Sequence, residues 1–468
     1  MAYTTINPAT GIVGETFENI TDAALACRID ELDLCFRTDW RLRPVADRSR
    51  IVASAAKIIR DEIQTLAEII SRDMGKLVSH AVGELALSAA ILDYYAQTAS
   101  EFLEPKALPG APGAKLHAQP LGIILAVEPW NFPFFQLARV AGPQLMVGNV
   151  IVAKHASNVP QCALAFEDVL RRAGVPAGAY VNVFASTDQV GTIIDDPRVR
   201  GVTLTGSEKA GAVVAERAAR NLKKSVLELG GSDPLIVLED APFEPTVFNA
   251  MVGKMNNAGQ SCVATKRMIV VGEERERQFL EAMTNAMGSL KPGDPLDPGT
   301  TLAPVSSEGA LEGLLAQIEQ ARNAGAEIVL GGNRIDRPGS YLEPTIITNI
   351  GIDNPVYRQE IFGPVLSFYV VPDEESAIKL ANDVPFGLGG SVFTADLARG
   401  ERVALQIESG MSFVNNPTWS TPQMPFGGIK NSGYGRELSQ LGFGEFVNWK
   451  LVAISQPGAL PPGFDAAG

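Results

Sequence analysis

The first hundred residues carry hydrophobic positions at helical spacing. Between Pro44 and Gly75 the apolar residues recur at steps of three and four, which predicts one buried helical stripe made of Ile51, Val52, Ala55, Ile58, Ile59, Ile63, Leu66, Ile69 and Ile70. Ala81–Phe102 continues the same pattern. A segment rich in proline and glycine follows, from Pro105 to Gly113, and it separates this helical part from the rest of the chain.

Beyond residue 120 the pattern changes to short apolar runs that alternate with helical segments. The strand candidates are Leu121–Val127, Val150–Ala153, Val202–Thr205, Val226–Leu229, Leu235–Leu238, Met268–Val271, Ile328–Leu330, Val365–Val371, Ser391–Phe393 and Ser412–Asn415. Runs that are apolar on both faces, with helices between them, are typical of parallel strands in an α/β fold. So many strands predict two sheets rather than one.

Composition and charge exclude several classes of function. The 468 residues exceed a single core of about 150 residues, so we expect two or three domains. Lysine and arginine number 39 against 53 acidic residues, which gives a net charge of −14 and a pI near 4.9. Such a surface disfavours nucleic acid and anionic membranes as partners. Residues 1–20 show no secretory signal, so we expect a soluble, cytoplasmic protein.

Cysteine and histidine are too sparse and too scattered for a metal centre. The four cysteines contain no CxxC pair, which argues against a zinc ribbon and against a disulfide framework. The histidines are His80, His117 and His155, and no two of them have the spacing of metal ligands. We therefore expect no metal, and any nucleophilic mechanism that needs a histidine has only these residues to use.

A glycine turn suited to phosphate follows one of the strand candidates. The chain has no GxGxxG motif, but Thr205-Gly206-Ser207 lies between the strand 202–205 and the helical segment Glu208–Arg220. A glycine there lets N–H groups at a helix N-terminus approach a pyrophosphate. The alternative is a plain turn in which Ser207 caps the helix.

Three further residues carry candidate chemistry. Cys262 lies in a loop of small residues after the helical segment Val247–Asn256, where a thiol is a nucleophile if N–H donors stabilise its anion and is otherwise a small buried hydrophobe. Glu228 ends an apolar strand, so it is either ion-paired or a general base with a raised pKa. Asn131, between two aromatic residues, either forms a turn or donates its amide to an oxyanion.

With these motifs in order, the sequence resembles the aldehyde dehydrogenase family. The resemblance runs from Asn7 to Trp449 and rests on PWNFP (129–133), the strand ending at Lys154, TGS (205–207), LELGG (227–231), GQSC (259–262), EIFGP (360–364) and PFGGIKNSGYGRE (425–437). The most similar subfamily is that of the succinate-semialdehyde dehydrogenases, because of WNFPFFQLAR and VLELGGSDP. The resemblance implies an α/β fold with two Rossmann-like α/β domains and a small β oligomerisation extension.

The resemblance also divides the chain into parts. It implies a cofactor-binding domain in residues 1–102 and 120–231, a catalytic domain in residues 232–433, and the oligomerisation extension in residues 103–119 and 445–457. The C-terminal strand of the extension, around Phe446–Ala453, offers an edge for a second subunit. The resemblance also implies a homodimer or homotetramer.

The family's mechanism then falls on particular residues of this chain. The resemblance implies that Cys262 attacks the aldehyde to give a thiohemiacetal, with the oxyanion held by the Asn131 amide and the Cys262 N–H. Hydride passes to a nicotinamide and leaves a thioester, and Glu228 activates the water that hydrolyses it. Glu437 resembles a second carboxylate in a proton path, with a surface ion pair as the alternative.

The resemblance assigns cofactor binding to seven residues: Trp130, Lys154, Ser157, Gly206, Ser207, Glu360 and Phe362. Lys154 is expected at the adenosine ribose, the glycine turn at the pyrophosphate, and Glu360 with Phe362 at the nicotinamide ribose and ring. Members of the family that prefer NAD often carry a glutamate where this chain has Ser157. The absence of an acid there leaves both NAD and NADP open.

The expected substrate depends on Arg139. The succinate-semialdehyde dehydrogenases carry arginine at this position, and a guanidinium binds a carboxylate through two hydrogen bonds. The alternative is that Arg139 pairs with a nearby acid of the protein. Phe135, Trp419 and Met424 either line the substrate tunnel or pack in the core, and the other wall of the tunnel lacks a second cation.

We therefore expect oxidation of succinate semialdehyde to succinate. Within the enzyme class, the open alternatives are glutarate semialdehyde and a neutral aliphatic aldehyde. Thioester exchange with coenzyme A is a further alternative, which the presence of Glu228 disfavours. A non-catalytic relative is the remaining one, and the intact Cys262, Glu228 and Asn131 argue against it.

Overall fold

The computed structural model describes residues 3–459 and contains helices packed around several sheets. The helices are α1 (Asp22–Thr38), α2 (Val45–Asp61), α3 (Ile63–Met74), α4 (Val78–Phe102), α5 (Pro133–Val147), α6 (Pro160–Ala173), α7 (Thr187–Asp195), α8 (Glu208–Arg220), α9 (Phe243–Met255), α10 (Glu273–Gly288), α11 (Glu308–Asn323), α12 (Glu374–Asn382), α13 (Leu397–Ala404) and α14 (Ser439–Phe443). The strands are β1 (Tyr3–Ile6), β2 (Val13–Phe17), β3 (Lys106–Ala107), β4 (Ala114–Pro120), β5 (Ile123–Glu128), β6 (Val150–His155), β7 (Tyr180–Asn182), β8 (Val199–Thr205), β9 (Lys224–Glu228), β10 (Pro234–Val237), β11 (Arg267–Val271), β12 (Glu327–Leu330), β13 (Thr345–Thr348), β14 (Val365–Val371), β15 (Phe386–Gly387), β16 (Ser391–Phe393), β17 (Phe413–Val414), β18 (Ile429–Lys430), β19 (Gly433–Tyr434) and β20 (Val447–Ala453).

The first large sheet has the strand order β19-β9-β8-β5-β6-β7. Its strands are parallel except β19, which pairs antiparallel with β9. The chain runs from β5 through β6 and β7 to one edge, then returns to the other side of β5 with β8 and β9. This reversal leaves a crevice beyond the carboxyl ends of β5 and β8, the place where open α/β sheets bind ligands.

The second large sheet has the order β12-β13-β14-β11-β10-β16-β17 and is parallel except for β12. Its central strands β10 and β11 are buried along their whole length, with helices on both faces. The two sheets confirm the prediction of an α/β fold with more than one sheet. They fall on either side of residue 232, except that Gly433–Tyr434 forms β19 and belongs to the first sheet.

A third sheet is small and antiparallel, with the order β20-β4-β3. It draws on the segments 103–119 and 445–457, and it leaves Leu451 and Ile454 exposed. These are the segments that the family resemblance assigned to an oligomerisation extension. Within residues 3–459 no single helix is long and apolar enough to cross a membrane, and the bent pair α3 and α4 passes that test by length and composition only.

The structure differs from the sequence-based expectations at several element boundaries. The stripe between Pro44 and Gly75 is two helices, because Glu62 leaves the helical conformation (φ −110°, ψ 18°) and its carboxylate pairs with Arg172. The periodicity crosses this break because α2 and α3 both pack on α4 and α6. The strand expected from residue 121 begins at Ile123, since the side-chain oxygen of Asn149 accepts hydrogen bonds from the backbone N–H groups of residues 121 and 122.

Candidate active site

Two cavities meet at one cysteine, between the two large sheets. The aromatic cavity, of about 300 Å³, has walls formed largely by the rings of Phe132, Phe135, Trp419 and Phe426. The crevice cavity, of about 290 Å³, lies beyond the carboxyl ends of β5, β8 and β9, and is lined by Pro129, Trp130, Asn131, Thr205, Gly206, Ser207, Glu228, Leu229, Gly230, Cys262, Glu360 and Phe362. Cys262 lines both cavities, so molecules bound in the two cavities would meet at this residue.

A strained turn brings Cys262 to this position. After α9, Asn257, Ala258 and Gly259 have φ values of 53°, 52° and 73°, a run of left-handed residues that is unfavourable for the two that are not glycine. At Gly259 glycine is required, because a Cβ there would lie 2.1 Å from the carbonyl oxygen of Gly363. The Asn257 side chain stabilises the turn by donating to the carbonyl of Gln260 at 3.1 Å.

The environment of Cys262 keeps its sulfur protonated at neutral pH. Burial raises the pKa of the thiol to about 11, and the charges of Lys266 and Arg139 oppose that effect only in part. Among residues 3–459, no acceptor takes the backbone N–H of Cys262. The thiol therefore needs a base before it can attack, and its N–H is free to donate to an oxyanion.

Glu228 is the carboxylate that ends β9 and faces the crevice cavity. It is only 2% exposed, and neither carboxylate oxygen has a hydrogen-bond partner among the described residues. Burial raises the pKa of Glu228 well above its usual range, and the nearby charge of Glu437 adds to the shift. A carboxylate with a raised pKa accepts a proton from a thiol or a water better than an ordinary one, which is what a general base requires.

Asn131 directs its side-chain amide at the cysteine turn. Its Nδ2 donates to the carbonyl of Gln260 at 3.2 Å, and its Oδ1 accepts from Nε2 of Gln136 at 3.4 Å. Its backbone carbonyl accepts from Nδ2 of Asn257 at 2.9 Å and from the Lys76 ammonium at 2.7 Å. The amide is therefore held against the turn that carries Cys262, and Asn131 and Cys262 line the same cavity, so the amide and the Cys262 N–H are the two candidate donors for an oxyanion.

The comparisons with known proteins agree with this geometry. The sequence profile of the aldehyde dehydrogenase family matches residues 1–452. The chain belongs to the aldehyde dehydrogenase family. It is 46% identical over 452 residues to a succinate-semialdehyde dehydrogenase [NADP(+)] of Deinococcus radiodurans, an alignment that covers 96% of this chain and 94% of that one. It is 43% identical over 456 residues to a probable succinate-semialdehyde dehydrogenase [NADP(+)] of Synechocystis, covering 97% and 100%.

A solved structure within the family has nearly the same backbone. The crystal structure of the succinic semialdehyde dehydrogenase from Streptococcus pyogenes, in complex with NADP+, matches with a TM-score of 0.95 and 47% sequence identity. The match covers 97% of this chain and 100% of that one. The α/β fold of an aldehyde dehydrogenase is therefore confirmed for the chain.

In this aldehyde dehydrogenase, only some of the residues expected to bind the cofactor line the crevice cavity. Trp130, Gly206, Ser207, Glu360 and Phe362 line the crevice cavity, whereas Lys154 and Ser157 lie outside that lining, at the end of β6 and just after it. The Ser207 side chain accepts the N–H of Ala210 at 3.3 Å, so it does cap α8. Glu360 accepts the N–H of Gly231 and pairs with Lys266, both at 3.1 Å.

The structure corrects the interpretation of Arg139. Its side chain is fully buried, with Nε 2.6 Å from a carboxylate oxygen of Glu437, and it donates to the Thr205 hydroxyl at 3.1 Å. The rings of Phe135 and Phe426 cover the guanidinium at 4.8 and 4.6 Å and separate it from the aromatic cavity. Arg139 therefore forms the internal ion pair that was the alternative to a substrate contact.

Two other expectations about this region also change. Phe135 and Trp419 line the aromatic cavity, but Met424 is not among its lining residues. Glu437 is 6% exposed and accepts from the Thr203 hydroxyl at 3.1 Å, so it forms a buried pair with Arg139 rather than a surface one. Burial raises the pKa of Glu437, against the opposing charge of Arg139.

Sequence reasoning missed a further carboxylate in this cluster, Glu128. The strand register pairs Val127 of β5 with Leu204 of β8, and Thr205 with Glu228 of β9. Glu128, Thr205 and Glu228 thus occupy one row at the carboxyl ends of neighbouring strands. Glu128 is 3% exposed, and its carboxylate oxygens have no partner among the described residues. The signal was available, since Glu128 ends an apolar strand in the same way as Glu228.

Replacing Arg139 with alanine tests whether it acts through Glu437 or through the substrate. Breaking a buried ion pair costs about 3–5 kcal/mol of stability. We expect kcat/KM to fall by similar factors for an acid semialdehyde and for propionaldehyde, because the lost contact is inside the protein. Arg139→Lys keeps the charge and is the matched control. A rise in KM confined to the acid substrate would contradict this geometry and restore the carboxylate contact.

Proposed function

We propose that the chain oxidises succinate semialdehyde to succinate, with NADP or NAD as the hydride acceptor. The observation that carries the proposal is the position of Cys262 between two cavities, with the base Glu228 and the amide donor Asn131 lining the crevice cavity beside it. The names of the relatives at 46% and 43% identity support this substrate and favour NADP.

The crevice cavity has the features that a dinucleotide needs. The Gly206 turn lies at the N-terminus of α8, and the aromatic rings of Trp130 and Phe362 border the same space at 5.9 Å from each other. These residues would hold the pyrophosphate and the nicotinamide half, with Glu360 at the ribose. The bound cofactor supplies a hydride acceptor. No acid occupies position 157 to repel a 2′-phosphate, which favours the use of NADP.

The residues of the chain account for both halves of the reaction. Glu228 takes the proton of the Cys262 thiol, and Sγ bonds to the aldehyde carbon while the Asn131 amide and the Cys262 N–H hold the oxyanion. Loss of hydride from that carbon leaves a thioester. Glu228 releases the thiol proton to solvent and then takes a proton from water as the water oxygen attacks the thioester carbon. The tetrahedral intermediate breaks its C–S bond, Glu228 returns the proton to Sγ, and the acid product leaves.

The aromatic cavity is large enough for a small aldehyde but carries no cation. Among the described residues, no lysine or arginine lines it. Besides Glu84, whose carboxylate is paired with Lys76, its polar lining residues are neutral: Ser79, His80, Gln136, Asn256, Ser261, Thr418 and Ser420. His80 accepts the N–H of Asn257 at its Nδ1 (3.2 Å), so the proton of the neutral ring is on Nε2. These neutral donors are the groups available to a substrate carboxylate. The lack of a cation makes a neutral aliphatic aldehyde the second candidate substrate.

We extend the proposal to assembly and location. The small sheet β20-β4-β3 leaves its edges unpaired within the described residues and exposes Trp449, Leu451 and Ile454, which supports a homodimer or homotetramer built on it. All four cysteines are free, as in proteins of a reducing compartment, which supports a cytoplasmic enzyme.

Initial rates of cofactor reduction test the proposed function directly. The reaction is followed with succinate semialdehyde and with propionaldehyde, each with NADP and with NAD, in the absence of coenzyme A. We expect kcat/KM to be at least tenfold higher for the acid semialdehyde and for NADP. Comparable rates on both aldehydes would favour the neutral substrate and overturn the semialdehyde assignment. A requirement for coenzyme A would instead replace hydrolysis by thioester exchange.

A further inference from the structure

A buried ion pair lies directly behind the oxyanion residue. Lys76 precedes α4, and Glu84 lies on it eight residues later, so both face the loop between β5 and α5. Their side chains are 0% exposed and contact each other. The Lys76 ammonium also donates to the backbone carbonyl of Asn131 at 2.7 Å, and it lies 3.7 Å from the centre of the Phe132 ring.

Glu84 holds the other end of the same loop. One of its oxygens accepts the N–H groups of Phe134 and Phe135 at 2.8 and 3.1 Å. These are N–H groups of the first turn of α5, whose own N-cap residue, Phe132, makes no side-chain cap. Glu84 therefore caps α5, in the orientation that the helix dipole favours.

The loop is held from the side of the second sheet as well. The carbonyl of Asn131 receives one hydrogen bond from Lys76 and one from Nδ2 of Asn257, which belongs to the cysteine turn. The two donors come from distant parts of the chain, the segment before α4 and the turn after α9. These two bonds fix the backbone at Asn131, and from that backbone position the side-chain amide reaches its own partners, Gln260 and Gln136.

We propose that Lys76 and Glu84 are positioning residues that hold the Asn131 amide where the oxyanion forms. The proposal rests on the proposed cysteine chemistry, but not on the identity of the aldehyde. Burying two charges is a costly way to fill a core, and well-packed apolar residues would do so at least as well. The pair supplies what apolar residues lack, namely a donor for the Asn131 carbonyl and an acceptor for the α5 N-terminus.

Two variants separate positioning from stability. Lys76→Met removes the donor and leaves Glu84 unpaired in the interior, so we expect a lower Tm and a hydride-transfer step about 10- to 100-fold slower. The double variant Lys76→Met/Glu84→Gln removes both charges and keeps an oxygen for α5. We expect it to recover most of the Tm but not the rate, because the Asn131 carbonyl still lacks its donor.

Arg48→Met is the matched control. Arg48 is also a buried cation that donates to a carbonyl, that of Met146 at 3.2 Å, at the far end of the 15-residue helix α5. We expect this variant to lower the Tm without slowing hydride transfer. For each of these variants the rate of hydride transfer is measured in a single turnover, and the aldehyde KM and the cofactor Kd are measured alongside it. Both constants should stay within about twofold of their wild-type values.

The outcomes either support the positioning role or overturn it. Recovery of both Tm and rate in the double variant would show that the pair only stabilises the fold. An equal loss of rate in Arg48→Met would overturn the proposal in the same way. The test uses whichever aldehyde the wild-type chain oxidises, so a failure of the semialdehyde assignment is seen in wild type and leaves the comparison of variants intact.

Discussion

Replacing Glu228 with glutamine is expected to allow one round of cofactor reduction, slower than in wild type because the Cys262 thiol has lost its base, and then to stall the enzyme as its thioester. The amide keeps the shape of the side chain but cannot take a proton from water. In the part of the chain that the structure describes, the one other carboxylate lining the crevice cavity is Glu360, which is already paired with Lys266. A general base contributes about 10²- to 10⁴-fold, so the steady-state rate should fall by that factor. Rapid mixing measures the burst, whose amplitude should approach one cofactor per active site.

The pH profile of the wild-type enzyme supplies a second measure of the same residue. Burial and Glu437 raise the pKa of Glu228, and only the ionised form acts as a base. The rate of hydrolysis should therefore decline as the pH is lowered through a value above the usual carboxyl range. The Glu228→Gln variant should not show this decline. Glu437→Gln is the matched control from the same buried cluster, expected to slow turnover without a burst. Normal turnover of Glu228→Gln would move the role of base to Glu437 or Glu128.

The parts of the site that sequence reasoning located share a simple local cause. Asn131 and Gly206 follow strands, and Glu228 ends one, so their chain positions place them at the carboxyl ends of parallel strands. The reversal of strand order around β5 brings those ends together. Cys262 belongs to the part of the chain that forms the second large sheet. Its place beside those strand ends was expected from the family resemblance, because no local pattern indicates it.

Arg139 shows where such reasoning stops. Its spacing on α5 puts it on the same helix as the cavity-lining Phe135, but spacing does not show which side chains lie in between. Phe426, which helps cover the guanidinium, comes from a segment almost 300 residues further along the chain. The partner Glu437 is as distant, so only the three-dimensional packing separates an internal ion pair from a substrate contact.

Lys76 and Glu84 were missed for a related reason. Their stretch of sequence shows an apolar helical pattern, in which isolated charges are usually assigned to the exposed face. Here both charges point inward, because the loop at Asn131 presents a carbonyl and the start of α5 presents two N–H groups. A charged side chain is stable in the interior only when it has hydrogen-bonding or charged partners. Partners some fifty residues away along the chain cannot be recognised from the spacing of hydrophobic residues.

Removing the sulfur of Cys262 is expected to have the largest effect of any substitution. Cys262→Ala should bring turnover below detection, because no other residue in the described range 3–459 lines both cavities. Cofactor binding should persist because the cysteine is only one of the residues that line the crevice cavity. Cofactor fluorescence and the rate of reduction measure the two effects separately. Retained activity would remove the cysteine mechanism altogether.

The protonation state of the Cys262 thiol decides whether Glu228 is needed for the first step of the reaction as well as for hydrolysis. A pKa of about 11 means that the thiolate fraction, and with it the rate of alkylation, should rise about tenfold per pH unit from neutral pH up to about pH 10. Mass spectrometry of the peptide containing Cys262 measures this rate, with the exposed Cys27 as an internal control for the reagent. A plateau near neutral pH would mean that the protein already stabilises the thiolate, so that Glu228 serves hydrolysis alone. A steady rise means that Glu228 must act twice, first on the thiol and then on water.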